Sequence, residues 1–273
     1  MTNLNFIIMN DKNFDYLKDQ VKYTGFGDAL EGELKANIEK LEPAFSLKHD
    51  TFYGSDRVSA ELNFKKSEQS DMYFFNSYKV QLQKEDRPES LEQTFYINRG
   101  NNITLKEAYN MMEGRSVHKE LTNKEGEKYA AWVQLDFKDS DDKGNFAVKQ
   151  YHENYGYDLE ATLAKHPIKE LENNSHKGDL INSLKKGNLQ SATFIKDGQE
   201  VKQYIEANPQ FKTLTVYDAQ QKRLDTRQGN IQQQSEQEGK GQKESQKAKA
   251  GDNDEEAPGD EKQKKQRRKS RSV

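Results

Sequence analysis

The chain has 273 residues, of which 33% are charged, 32% hydrophobic and 10% aromatic; it carries a formal net charge of −3 and no cysteine. Without a thiol there is no disulfide, thiolate zinc site, iron–sulfur cluster or cysteine nucleophile. A mildly acidic body also argues against a duplex-binding surface, which is ordinarily basic on at least one face.

Apolar residues are unevenly spread. Nearly all the aromatics precede residue 218, and from about Arg223 the chain holds almost nothing to bury. The remaining body of about 220 residues can form a real core. The Gln-, Lys/Glu- and Gly-rich stretch 223–273 cannot offset its own ordering entropy and reads as a disordered tail.

The run Phe6-Ile7-Ile8-Met9 is four residues long and has no basic flank. A signal peptide needs a longer apolar stretch behind a positive one, and nothing later reaches the ~18 residues of a membrane helix. The run reads as a short edge strand, or as read-through ahead of a start at Met9 rather than Met1. No membrane is expected as a partner, and the expected location is the cytoplasm.

Phe14, Leu17 and Val21 recur at helical spacing until Thr24-Gly25-Phe26-Gly27 breaks the helix. Leu30, Leu34, Ile38 and Leu41 mark a second helix, closed by Pro43. Two helices across a glycine turn invite a helix-turn-helix reading. The second, however, opens with Asp28, Glu31 and Glu33, where a recognition helix would present Arg, Lys or Asn. Acids suit a helix N-terminus, and packing onto a sheet is the better reading. Alternating strands follow at 45–48, 58–64, 72–80 and 93–97, joined by short polar turns as in an antiparallel meander.

Thr104-Leu105-Lys106-Glu107 is a capping box opening a helix that runs to Gly114. Strands are expected at 116–121, 129–137 and 146–151. In the middle one Tyr129, Ala131, Val133, Leu135 and Phe137 share a face and Trp132, the only tryptophan, takes the other. Both faces should therefore be covered, unless Trp132 marks a contact surface. Pro167 suits the first turn of a further helix, whose stripe is Leu180, Ile181 and Leu184. Strands at 189–195, 200–206 and 212–217 complete the body.

One pattern recurs: a helix, a glycine (Gly114, Gly187), a strand, a turn glycine (Gly126, Gly198) and two more strands. A looser copy runs from Asp28 through Gly54. The expected fold is α+β, built from repeated helix plus antiparallel three-stranded meander units. The units span 1–100, 101–165 and 166–222, ahead of the tail.

Chemistry is hard to find. His49, His118, His152, His166 and His176 are scattered, and no pair has the spacing of a metalloprotease helix. There is no glycine-rich phosphate loop and no G-x-S-x-G elbow. Asp139 to Gly144 lacks the ligand spacing and closing glutamate of a calcium loop and reads as a polar hairpin turn. No catalytic residue, metal or cofactor is expected. Two aromatic clusters, 73–78 and 151–157, have Asp71, Glu153 and Asp158 among their neighbours, where base stacking calls for cations. They suit core or interface packing, with Tyr73, Phe75, Trp132, Tyr155 and Tyr157 the candidates for a partner surface.

The segment 262–271 gathers Lys262, Lys264, Lys265, Arg267, Arg268, Lys269 and Arg271 without an acid. Such a segment binds phosphates by counterion release, without sequence preference. It equally suits a solubilising tail.

Asn13-Phe14-Asp15-Tyr16-Leu17-Lys18, Thr24-Gly25-Phe26-Gly27, Ser70-Asp71-Met72-Tyr73-Phe74-Phe75-Asn76, Tyr151 to Tyr157, Gly187-Asn188-Leu189-Gln190-Ser191 and Asn208-Pro209-Gln210-Phe211-Lys212 carry a resemblance. Across residues 10 to about 218 the chain resembles an uncharacterised Bacteroidota family found on conjugative and other mobile elements, near topoisomerase and transfer genes. The resemblance implies a context and supplies no catalytic residues. The favoured expectation is a non-enzymatic accessory protein of a mobile element that supports nucleic-acid processing or transfer by binding, with nucleic acid or a mobile-element protein as partner. A protein–protein adaptor is the alternative, and an enzyme of unknown type the third reading.

Overall fold

The computed structural model describes residues 2–98 and 102–224. Beyond Leu224 the expected tail, including every residue of its basic segment, lies outside the described residues.

Helix α1 (Thr2–Val21) runs through Phe6 to Met9, so the expected edge strand there is corrected to helix. Adding turns to a nucleated helix costs less than forming a strand that has no partner. The helix ends in a wide turn, Lys22–Phe26, where Gly25 and Gly27 take φ of 103° and 68°. Gly25 also faces the backbone of Leu105, whose amide nitrogen would lie 3.3 Å from a Cβ at this position. Helix α2 (Glu31–Glu39) buries Leu34 and Ile38, with Leu30 buried just before it. Leu41 does not extend the stripe. It is exposed and takes φ of 59°, the left-handed turn that glycine makes elsewhere in this chain.

Strands β1 (Ala44–Tyr53), β2 (Asp56–Lys66), β3 (Tyr73–Gln83) and β4 (Ser90–Tyr96) form an antiparallel sheet in sequential order. Phe64 pairs with Phe75 and Asn63 with Ser77, which leaves Asn76 as an extra residue. This bulge flips the alternation. Tyr73 and Phe75 before it, and Tyr78, Val80 and Leu82 after it, therefore all face the core.

Helix α3 (Leu105–Met112) starts at the expected capping box, with Glu107 and Thr104 bonded reciprocally. The same carboxylate receives the Lys119 ammonium at 2.9 Å, and both side chains are buried. Strands β5 (Val117–Thr122), β6 (Lys128–Ser140) and β7 (Phe146–His152) form the second sheet. It lies between two cores. Val117, Val133 and Leu135 join the core of the first sheet and its helices, while Trp132 joins the core of the third unit. Both faces of β6 are covered.

Helix α4 (Leu159–Leu163), which falls in the span 101–165, packs Leu159 and Leu163 into that third core. Pro167 does not open a helix. Its carbonyl accepts from the Ile195 N–H, and Ile168 bridges Phe194. Helix α5 (Asn174–Lys185) starts instead at Asn173, whose side chain accepts from the amides of Ser175 and His176. Strands β8 (Gln190–Lys196), β9 (Gln199–Asn208) and β10 (Thr213–Tyr217) make the third sheet, again a meander.

The ends of α3 and α5 share one geometry. Glu113 and Lys186 both cap with φ −79° and ψ 3°, and Gly114 and Gly187 follow at φ 82° and 76°. Arg115 N–H then reaches Asn110 O, as Asn188 N–H reaches Ser183 O. The hairpin glycines differ more. Gly198 sits in a two-residue turn, and Gly126 in the longer loop 123–127. The described residues form one compact unit.

Candidate functional site

Two concave regions stand out. One is a polar cleft of about 920 Å³ where the β1–β2 hairpin, the β3–β4 loop, α3 and the third sheet meet. Its floor is a chain of paired polar groups. Glu113 receives Lys84 at 3.0 Å and lies 3.8 Å from Arg115. The Arg115 guanidinium donates to the carbonyl of Gly187 and to Asn110 Oδ1, at 2.9 and 2.8 Å. Asn110 in turn donates to Lys186 O and Asn188 Oδ1. Side chains at one helix end thus hold the backbone of the other.

The remaining groups are shaped by burial. Tyr109 donates to Asp56 at 3.0 Å; burial, with Glu113 and Asp56 close by, pushes its phenol up to about 12. Lys106 lies over the rings of Tyr53 and Tyr109, at 4.1 and 4.4 Å. Desolvation and the Arg115 charge lower its pKa. Glu206 accepts from the Tyr217 hydroxyl at 2.9 Å, and burial raises its carboxyl above the usual range despite that bond. Lys84, Arg115 and Glu113 neutralise one another here, which suits a structural seam that also presents a polar recess.

The second region is an aromatic groove of about 860 Å³ lined by Tyr16, Tyr23 and Phe74, with Asn76, Asn98 and Asn102. Tyr16, Tyr23 and Phe74 are exposed. Among the described residues Asp19 is its one charged lining residue.

Neither region is centred on the residues expected as partner surface. Tyr73, Phe75 and Trp132 are buried, at 0%, 3% and 5% exposure, and cannot present a surface on this body. Alternation aims Tyr73 and Phe75 inward and leaves Phe74 outside. Tyr155 is exposed and Tyr157 half-buried. Both tie the second unit to the third: Tyr155 donates to Gln210 O and Tyr157 to Thr213 O. Tyr157 also packs edge-on to Trp132. A cation reaches the 151–157 cluster from a distant segment, with Lys212 4.7 Å from the Tyr155 ring centre. The basic residues 262–271 lie outside the described residues.

The histidines are spread through the fold. His49, His118, His152 and His166 each pack on an aromatic ring, of Phe26, Trp132, Tyr129 and Phe194. Among the described residues no three histidine, aspartate or glutamate side chains gather as a metal site requires. Asp141 accepts from the amides of Lys143 and Asn145, closing the expected polar hairpin. No helix of the described residues is long and apolar enough to cross a membrane.

The fold and its recesses define an α+β body of three meander sheets with a polar seam and an aromatic groove. Comparison with protein-family models, with curated proteins and with solved structures finds no match to this chain.

Proposed function

We propose that the protein is a non-catalytic accessory protein of a mobile genetic element, acting in the cytoplasm and supporting nucleic-acid processing or transfer by binding. The observation that carries this reading is how positive charge is divided. In the polar cleft Lys84 and Arg115 are tied to body carbonyls and carboxylates, and on β5 Lys119 is tied to Glu107. The segment 262–271 instead holds seven cations and no acid. Cations committed to the fold release few counterions on meeting a phosphate backbone, whereas a basic segment releases many. The motif resemblance supplies the mobile-element context.

A protein–protein adaptor is the second reading, and the groove at Tyr16, Tyr23 and Phe74 favours it: it offers exposed aromatic area beside side-chain amides. A pull-down of the intact chain with and without nuclease separates the two. Nucleic-acid binding predicts that co-purifying material disappears on nuclease treatment and that removal of 262–273 has the same effect. A protein that survives nuclease, and is lost in Tyr16→Ala/Tyr23→Ala, contradicts the first reading in favour of the second.

A further inference from the structure

Among the described residues β1 is an unpaired edge of the first sheet. It pairs with β2 over all ten of its residues without a register shift. The opposite edge, β4, is covered by side-chain amides: Gln93 exchanges two bonds with the backbone of Phe146, and Asn145 Oδ1 accepts from the Thr94 N–H. Edge strands are ordinarily blunted by proline, charged side chains, a bulge or such a cover; the two charges on β1, Lys48 and Asp50, are of opposite sign. The segment Ala-Phe-Ser-Leu-Lys-His-Asp-Thr-Phe-Tyr of β1 contains neither proline nor glycine, and its pairing with β2 has no bulge.

The two-residue turn Gly54-Ser55 closes on the pair Tyr53 and Asp56. Odd-numbered residues of β1 therefore exchange backbone bonds with β2, and even-numbered residues aim their N–H and C=O groups at the open edge. The inner face is unfinished on this side. Phe45, His49, Thr51 and Tyr53 are half-buried, whereas the inward residues of β2 and β3 are buried.

We propose that β1 pairs antiparallel with β1 of a second copy about a two-fold axis at His49, joining two four-stranded sheets into one of eight strands. Directly opposed residues of antiparallel strands share a face, so the pairing must set even residues against even ones. Centring it on His49 sets Lys48 opposite Asp50 of the second copy, and Asp50 opposite its Lys48. Centring it one residue to either side opposes two Lys48 or two Asp50 side chains, which is unfavourable. Centring it two residues away leaves both charges opposite neutral residues and shortens the ladder. Asp50 is equipped for a further bond, because Arg57 and Ser59 both donate to its Oδ1. The same register sets Phe45 opposite Tyr53 and covers Phe52, now 63% exposed, across Ser46.

The test is sedimentation equilibrium of the full chain with paired charge reversals. The wild type should be a dimer, Lys48→Asp and Asp50→Lys should each be monomeric, and the double variant should recover the dimer. Circular dichroism and thermal melting show whether each variant keeps its fold. The register is read independently by cysteine, because the chain has none. Oxidation should cross-link His49→Cys into a disulfide dimer and leave Lys48→Cys and Asp50→Cys monomeric under denaturing conditions. A wild type that stays monomeric at all concentrations overturns the proposal. So does a dimer that both single reversals retain, or cross-linking at position 48 or 50 in place of 49.

Discussion

Arg115 Nε donates to the carbonyl of Gly187 at 2.9 Å across 72 residues of sequence, so the residue after one helix-end glycine holds the glycine that ends the next unit's helix. The contact is close. A Cβ on Gly187 would lie 2.9 Å from Val117 Cγ2 and 3.0 Å from the carbonyl oxygen of Ser116. Glycine is needed there twice, for its left-handed backbone and for its lack of a side chain. Gly198, also at φ 76°, has open space around it.

Gly187→Ala should therefore cost clearly more than Gly198→Ala. The left-handed conformation alone accounts for about 1–2 kcal/mol at either position, and overpacking adds about 2 kcal/mol at Gly187. Urea unfolding followed by the fluorescence of Trp132, the single tryptophan, measures both. Equal losses would show that the two helix ends do not interlock in solution.

The buried pair of Lys119 and Glu107 gives a second prediction. Lys119→Met leaves a carboxylate with only its capping donors and should destabilise the body by about 3–5 kcal/mol. Lys119→Met combined with Glu107→Gln should cost less than the sum of the single changes, because no uncompensated charge remains. Additive losses in the same unfolding assay would contradict this coupling.

Acid should loosen the body through three histidines. Burial lowers the pKa of His49, His118 and His166 below the ordinary value of 6.5, helped at His118 by Lys185 and at His166 by Lys165. Below 6.5 the unfolded chain then binds more protons than the folded one. The stability these residues contribute is full above that pH and is lost as pH falls toward their folded values. Glu206 acts in the opposite sense: its raised carboxyl favours the folded state at low pH, and that gain is lost as pH rises through its folded value. Thermal melting between neutral and mildly acidic pH should show the decline. Replacing the three histidines with glutamine should flatten it, whereas an unchanged slope would place the acid sensitivity elsewhere.

Much of this fold is written locally. The capping box at Thr104, the glycines after α3 and α5, and the strands on either side of Gly198 depend on neighbours a few residues away, and the sequence shows them directly. What it conceals depends on distant partners. Asn76 is a bulge only because Asn63 and Phe64 lie on the facing strand, so alternation alone misplaces Tyr78. Phe6 to Met9 look like a strand until the helix that begins at Thr2 is known to carry them. Of the expected partner surface only Tyr155 and Tyr157 escape burial in the cores, because the face a strand side chain takes is set by the sheet's partners. The polar cleft was invisible for the same reason. Arg115, Glu206 and Tyr217 each look unremarkable in sequence, and they meet only when three units close on one another.

The tail carries the central claim, and the salt dependence of DNA binding tests it most directly. Fluorescence anisotropy of labelled single- and double-stranded DNA should show binding by the intact chain at low salt. Affinity should fall linearly on a log–log plot against salt, without preference among sequences. Removal of residues 262–273 should abolish it. Binding that survives the deletion, or an intact chain that fails to bind at low salt, would contradict the account.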